Sequence, residues 1–236
     1  MNKVIVPFSG GMDSTVLLHY AASKFDRVYA ISFDYGQRHI KELECAEYQI
    51  NVIREGDDER NVCFNTIVNL PFFNLIKGSA LLSRDIAVAK ARDVIGHPQH
   101  QNYVPFRNMM LLSIACSFAE QFKATTIYHG AAQIDSAAGF WDGSQEFLDV
   151  INKMTLLNRM NRIRIEAPLL NKSKKEIIEL GIQLGVDFSH TWTCYEGLDL
   201  ACGECTACSA RLQGFISAKI KDPLPYSRDI PWEKYI

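Results

Sequence analysis

The 236-residue sequence has no apolar run near the roughly 20 residues that span a bilayer. Its first residues lack the basic start and long apolar core of a signal peptide. A cytoplasmic protein without a membrane partner is therefore expected. Net charge is small, with 25 Lys and Arg against 27 Asp and Glu, so a nucleic-acid partner has no global electrostatic support. Internal repeats and low-complexity tracts are lacking, which excludes solenoids and arrays. A Walker loop is missing as well, because no Gly-Lys-Ser/Thr follows the glycine pair near the N-terminus. With 47% hydrophobic and 22% charged residues, the chain has apolar material for one large domain, or for one domain with a small appendage.

Strand-like and helix-like segments alternate as a parallel sheet requires. The pattern predicts a strand at 3–8, a helix at 13–24, a strand at 27–33, a helix at 40–54 and a strand at 62–69. A polar connection follows, and its stretch from about 78 to 105 suits either a lid or a plain surface loop. Beyond it are expected a helix at 107–122, a strand at 125–130, a helix at 144–158 and a strand at 162–166. Ser173 can cap a helix running to Leu184, with Glu176 completing a capping box. This order implies a doubly wound, mostly parallel α/β sheet. Near residue 187 the character shifts to Thr, Trp, Cys and Gly, ahead of a helix at 206–221 and a proline-rich tail. Two units are expected, an α/β domain over 1–186 and a small subdomain over 187–236.

Three of the seven cysteines, Cys45, Cys63 and Cys116, are scattered among apolar or helical neighbours and read as inert thiols. Cys194, Cys202, Cys205 and Cys208 are clustered, and four thiolates in so short a span can close a tetrahedral zinc site. A redox pair or an iron–sulfur cluster would use the same residue type. At the other end of the chain, the apolar segment at 4–8 stops in Ser9-Gly10-Gly11 before a helical pattern. Gly10 and Gly11 expose backbone N–H groups, and the positive end of the following helix favours an anion. Ser9, Ser14 and Thr15 add hydroxyl donors, and Asp13 can orient a magnesium ion carried by phosphates.

The full string Ser9-Gly10-Gly11-Met12-Asp13-Ser14 resembles the pyrophosphate loop of the N-type ATP pyrophosphatases. That resemblance implies an adenine nucleotide alpha hydrolase-like fold and activation of a substrate oxygen by AMP transfer. Further strings narrow it: Phe-Asp-Tyr-Gly-Gln-Arg-His at 33–39, Val-Pro-x-Arg-Asn at 104–108, Ala-Pro-Leu at 167–169 with Lys174 and Glu176, and Thr-Cys-Tyr at 193–195 before the cysteine cluster. Together, in this order, they resemble the 7-cyano-7-deazaguanine synthases (QueC). The resemblance implies that ATP adenylates a deazaguanine carboxylate and that ammonia gives the amide. A second ATP then activates the amide on the way to the nitrile. It places Ser9 to Thr15 on the pyrophosphate, and Ser32, Phe33 and Gln37 on the nucleotide. Asp13, Arg38, His39, Arg107 and Lys174 fall in catalytic roles. Asn108, Gly130, Asp135, Phe140, Trp141 and Asp142 fall on the substrate, with Asp142 accepting from the base and an aromatic ring stacking on it. The implied ligands are ATP, Mg2+ and Zn2+, and related enzymes are often homodimers.

Some of these residues have plainer readings: His39 as a surface hydrogen-bonding histidine, Lys174 as one of three lysines on a solvated helix start, and Phe140 with Trp141 as loop packing. The chain also departs from the family pattern. Its Gly139-Phe140-Trp141-Asp142-Gly143-Ser144 stands where Gly-Tyr-Pro-Asp-Cys-Arg is usual, and Phe106 replaces a glycine. An altered acceptor side leaves room for an enzyme that stops at the amide or joins the deazaguanine to another amine, such as a protein. The patch of Lys172, Lys174 and Lys175 keeps a zinc-containing nucleic-acid-binding module as a reading from another class.

Overall fold

Val4, Ile5 and Val6 are wholly buried, the mark of a strand covered on both faces. They belong to β1 (Lys3–Pro7), the middle strand of a five-stranded sheet in the computed structural model. The others are β2 (Arg27–Asp34), β3 (Val62–Asn69), β4 (Thr126–Tyr128) and β5 (Arg164–Glu166), in the order β3-β2-β1-β4-β5. Every pairing is parallel. The structure describes residues 1–55, 62–94, 101–132 and 140–236. Asp135, Gly139 and the side chain of Cys63 lie outside the described residues.

Because successive strand side chains point to opposite faces, the sheet has two cores. Val4 and Val6 pack with Val16 and Leu17 of α1 (Met12–Lys24), Ala46 and Ile50 of α2 (Glu42–Glu55), Ile177 and Ile178 of α5 (Lys174–Gln183), and Phe215 of α6 (Thr206–Ala218). Ile5 turns the other way, to Leu112 and Ala115 of α3 (Arg107–Phe122) and to Phe147 and Ile151 of α4 (Gln145–Thr155). Helices on both faces make the expected doubly wound architecture. Among the described residues, no helix is long and apolar enough to cross a membrane.

The Ser173 capping box forms as the sequence implies: Glu176 Oε2 accepts from the Ser173 N–H at 2.8 Å, and Ser173 Oγ from the Glu176 N–H at 3.3 Å. Other boundaries differ. α6 stops at Ala218 rather than 221, because Lys219 takes φ 57° and its N–H turns back to Phe215 and Ile216 carbonyls. β4 and β5 are three residues each, shorter than the expected 125–130 and 162–166, since only these positions find ladder partners.

The connection after β3 is no plain surface loop where described. Ala80 and Leu81 are buried, and Ala80 and Val88 join Trp192, Cys194, Cys205 and Cys208 in a third apolar cluster. Ala91 N–H donates to Glu204 O at 3.1 Å, and Lys90 pairs with Glu204 at 2.8 Å. A buried ion pair fastens α6. Arg211 Nε and Nη2 reach the two oxygens of Asp222 at 2.7 and 2.9 Å, while Nη1 donates to Thr191 Oγ1 and Nη2 to Phe188 O.

Candidate functional site

The strand order reverses between β1 and β4, where a doubly wound sheet opens a crevice at the carboxyl ends of its strands. A cavity of about 880 Å3 lies there, within the usual range for small-molecule sites. Ser9 after β1, Phe33 and Tyr35 at the end of β2, and His129 with Gly130 after β4 form its floor. The first turns of α1, α3 and α5 point into it with Met12, Asp13 and Ser14, with Arg107 and Asn108, and with Lys174. Trp192, Thr193, Tyr195 and part of α6 close the remaining side.

The glycine turn is held by its own hydroxyls. Ser9 Oγ accepts from the Gly11 N–H at 3.1 Å, and Ser14 Oγ donates to Gly11 O at 3.1 Å. Gly11 occupies the N-cap of α1 in an extended conformation without a side-chain cap. The orphan N–H groups and positive dipole end of α1 are therefore available to an anion in the cavity. Gly10 serves a different purpose. At φ 83°, a Cβ there would stand 2.0 Å from Glu42 O and 2.6 Å from Ala46 N, so this glycine lets the loop pack against α2. Lys174 Nζ pairs with Asp13 Oδ2 across the cavity. Asp13 Oδ1 and Thr15 Oγ1 are buried without a hydrogen-bond partner among the described residues. Of the two, Asp13 lines the cavity, and its unfilled carboxylate oxygen beside a helix N-terminus is what the counter-ion of a phosphate would complete.

Several sequence-derived candidates sit behind the lining rather than on it. Thr15 and Ser32 are buried away from the cavity. Gln37 braces the loop after β2, its Oε1 accepting from the Tyr35 N–H at 2.9 Å and its Nε2 donating to Phe33 O at 2.9 Å. Arg38 turns to the chain's C-terminal part, pairing with Glu196 at 2.5 Å and donating to Ile86 O at 3.2 Å. His39 does line the cavity and is buried, not a surface histidine. Burial, then the Arg107 charge, holds its imidazole down to about 3.

Three cavity residues carried no assigned role in the sequence. Tyr35 Oη accepts from Arg107 Nη1 at 3.3 Å. Burial opposes charge on Arg107, but Tyr35, Tyr195 and Asp142 outweigh it and keep the guanidinium protonated. Glu42, at the start of α2, has its carboxyl pushed by burial up to about 8. His129 is kept neutral by burial, with a ring nitrogen 3.2 Å from Asp142 O. The signal for Glu42 was present in sequence as an acid three residues after His39 at a helix start, but its burial was not.

Asp142 and Phe140 line the cavity. Trp141 turns away, setting its ring edge-on to Phe106 and Phe147, both with centroids at 5.3 Å, and donating Nε1–H to Tyr103 Oη at 3.0 Å. Phe106, the N-cap of α3, holds φ 53°, a left-handed conformation rare for a bulky residue. Two departures from the family strings thus touch each other. Phe106→Ala keeps the backbone strain and loses the ring contact, whereas Phe106→Gly loses both. The glycine variant should be the more stable by about 1 kcal/mol, the reverse of ordinary helix propensity. Denaturant midpoints of the two variants check this.

The four clustered cysteines converge, with Sγ atoms all within 4.8 Å of one another. Zinc–sulfur bonds of about 2.3 Å in a tetrahedron put sulfurs about 3.8 Å apart, so the donor set fits zinc. Backbone N–H groups already point at the sulfurs, from Cys202 to Cys194 at 3.3 Å, from Cys205 to Cys202 at 3.3 Å and from Cys208 to Cys205 at 3.4 Å. Such contacts orient and stabilise thiolates. Four cysteines leave no open position for a reacting water. Chelation should therefore lower the thermal midpoint of the parent protein by more than 5 °C, on the order of 1–2 kcal/mol or more. Cys205→Ser should start lower and respond weakly to the chelator.

A family model described as queuosine biosynthesis protein QueC matches residues 3–219. A 7-cyano-7-deazaguanine synthase of Pseudoalteromonas translucida is 39% identical over 231 residues, covering 95% of this chain and 98% of the relative. Another, from Clostridium kluyveri, is 40% identical over 232 residues, covering 96% and 98%. Among solved structures, the U34-tRNA thiolase NcsA of Methanococcus maripaludis superposes with a TM-score of 0.50 at 16% identity, over 79% of this chain and 59% of that one. That likeness speaks to the fold alone.

Proposed function

From the premise that this chain belongs to the QueC family of queuosine biosynthesis proteins, we propose that it is an ATP-dependent ligase converting 7-carboxy-7-deazaguanine to 7-cyano-7-deazaguanine. A carboxylate oxygen is a poor leaving group until it carries AMP. ATP supplies that group, with pyrophosphate leaving. Ammonia then displaces AMP to form the amide, and a second activation of the amide oxygen leads to the nitrile.

The observation that supports this best is the meeting of three positive features on one cavity: the uncapped start of α1, Lys174 and Arg107. In our reading Gly11 to Ser14 hold the departing pyrophosphate, with Mg2+ as its counter-ion near Asp13. Lys174 neutralises charge gained by phosphate oxygens, and Arg107 with Asn108 seats the substrate carboxylate. Asp142 accepts from the N1–H and exocyclic amine of the base, and Phe140 stacks on its ring. Phe33 and the main chain beside it flank adenine. The cysteines hold zinc as a structural staple. A division near residue 186, a homodimeric assembly and a cytoplasmic setting belong to the same proposal.

Trp141 braced by Phe106 gives specific support to a second reading, in which the acceptor side is altered and the reaction ends at the amide or at a conjugate with another amine. One incubation separates the two. With ATP, Mg2+, 7-carboxy-7-deazaguanine and ammonium, a nitrile mass accompanied by two AMP per product is expected. AMP formation that stops at the amide supports the second reading, and no substrate-dependent AMP overturns both.

A further inference from the structure

Behind Ser9 stand two buried groups that this reaction scheme leaves without a task. His39 and Glu42 both line the cavity and are only 5% and 7% exposed. Glu42 Oε1 accepts from Gln37 Nε2 at 3.2 Å and lies 3.6 Å from His39 Nε2, too far for a good hydrogen bond. His39 Nδ1 has no partner among the described residues. Glu42 is also hydrogen-bonded by Ser9, so the unpaired His39 nitrogen is the atom that marks a place for a ligand to complete.

The surroundings say what kind of ligand. A carboxylate and a neutral imidazole are suited to a small, donor-rich cation rather than an anion. The Tyr195 ring, with its centroid 5.4 Å from that of His39, adds an aromatic face of the kind that attracts cations. The charged group facing the pair from α3 is Arg107, which is engaged by Tyr35 Oη. Tyr35 and Ser9 complete the wall from the ends of β2 and β1, with Gln37 behind them. Arg38 is drawn off by Glu196.

We propose that Glu42 and His39 bind ammonium and that Glu42 deprotonates it for the ligation, an inference that rests on the acyl-adenylate reading above. One N–H bond of ammonium breaks with its electron pair left on nitrogen, and the proton passes to the Glu42 carboxylate. The nitrogen lone pair forms the new bond to the acyl carbon while the C–O bond to AMP breaks, its electrons leaving with AMP. The proton shed by the new C–N linkage goes to solvent. Solvent also takes the proton from Glu42 and so resets it after product leaves.

Burial supports this scheme by pushing the Glu42 carboxyl up to about 8. Arrival of a cation favours its ionised form, and a carboxylate of that basicity takes a proton from ammonium far more readily than an ordinary one. Its carboxylate form becomes populated as pH rises toward 8, so turnover per unit of ammonium should climb over that interval.

Hydroxylamine tests the idea because it is uncharged near neutral pH and needs no deprotonation before attack. In Glu42→Gln, the ratio of ammonium-driven to hydroxylamine-driven product at pH 7 should fall about 100-fold relative to the parent, the lower end of what general-base loss costs. His39→Asn should raise the ammonium concentration for half-maximal rate about tenfold, the scale of one charged hydrogen bond. An unchanged ratio in Glu42→Gln would overturn the proposal, because a merely structural role slows both nucleophiles alike. Substrate-dependent ATP–pyrophosphate exchange by the parent is the separate control, and its absence would overturn the underlying functional reading instead.

Discussion

Replacing Lys174 with methionine should slow substrate-dependent AMP formation by about 10²–10³-fold, the usual cost of removing one preorganised donor from a developing oxyanion. Lys174 is the first residue of α5, and its Nζ crosses the cavity to Asp13 on the first turn of α1. The two flank the place where α1 presents its unpaired N–H groups. As the bond between the α- and β-phosphates breaks, negative charge shifts onto pyrophosphate oxygens, and a fixed ammonium beside them stabilises that change more than it stabilises bound ATP. Methionine keeps the length and apolar contacts of the stem, including its packing beside Gly214, where even a Cβ would come within 2.7 Å of Lys174 Cβ. The loss should therefore appear in kcat, with little change in KM for ATP. Pyrophosphate release measured over a range of ATP concentrations checks this, and a kcat within threefold of the parent would remove Lys174 from the transition state.

The largest effect on stability is expected at Arg211. Arg211→Met should lower unfolding free energy by about 3–5 kcal/mol, because Asp222 is left charged and unpaired in the interior. Both side chains are wholly buried, and Tyr226 Oη and the Leu224 N–H also depend on Asp222, at 2.7 and 3.0 Å. The guanidinium also satisfies Thr191 and Phe188 oxygens in the segment leading to Cys194. A loss of this size is a large part of the 5–15 kcal/mol typical of a whole domain. The double variant with Asp222→Leu should be less unstable than the sum of the single losses, since removing both charges avoids the stranded one. Urea unfolding of the three variants measures the coupling. Additive losses would show that the pair acts through separate contacts.

What could be read from sequence was what depends on neighbours in the chain. The turn at Ser9 to Gly11, the Ser173 and Glu176 cap and the close spacing of four cysteines are local signals, and each appears in the structure where its spacing implied. The acid at Glu42 looked like any charged residue at a helix start. Only packing of α2 against the glycine turn buries it and makes its carboxyl basic. Arg38 takes a catalytic role from its position in a string, but its partner Glu196 is 158 residues away, a contact that no local pattern reveals. Gly10 was legible as a loop glycine, while the reason that only glycine fits lies in a helix that begins at Glu42. Residue types announced the chemistry, and long-range burial decided which of them face the cavity.

The central place of β1 also governs how the chain can be made. Its first residues pair with β2 once Asp34 has been synthesised, but the opposite ladder waits for Thr126 and Ile127. At ribosomal speeds this leaves one edge of an apolar strand without its partner for roughly 5–20 s. During that interval the emerging polypeptide offers Val4, Ile5 and Val6 to other nascent strands, and the mouth of the crevice does not exist until Lys174 and α6 have followed. Folding is thus gated by translation, and holding β1 out of trouble falls to whatever shelters the chain as it leaves the ribosome.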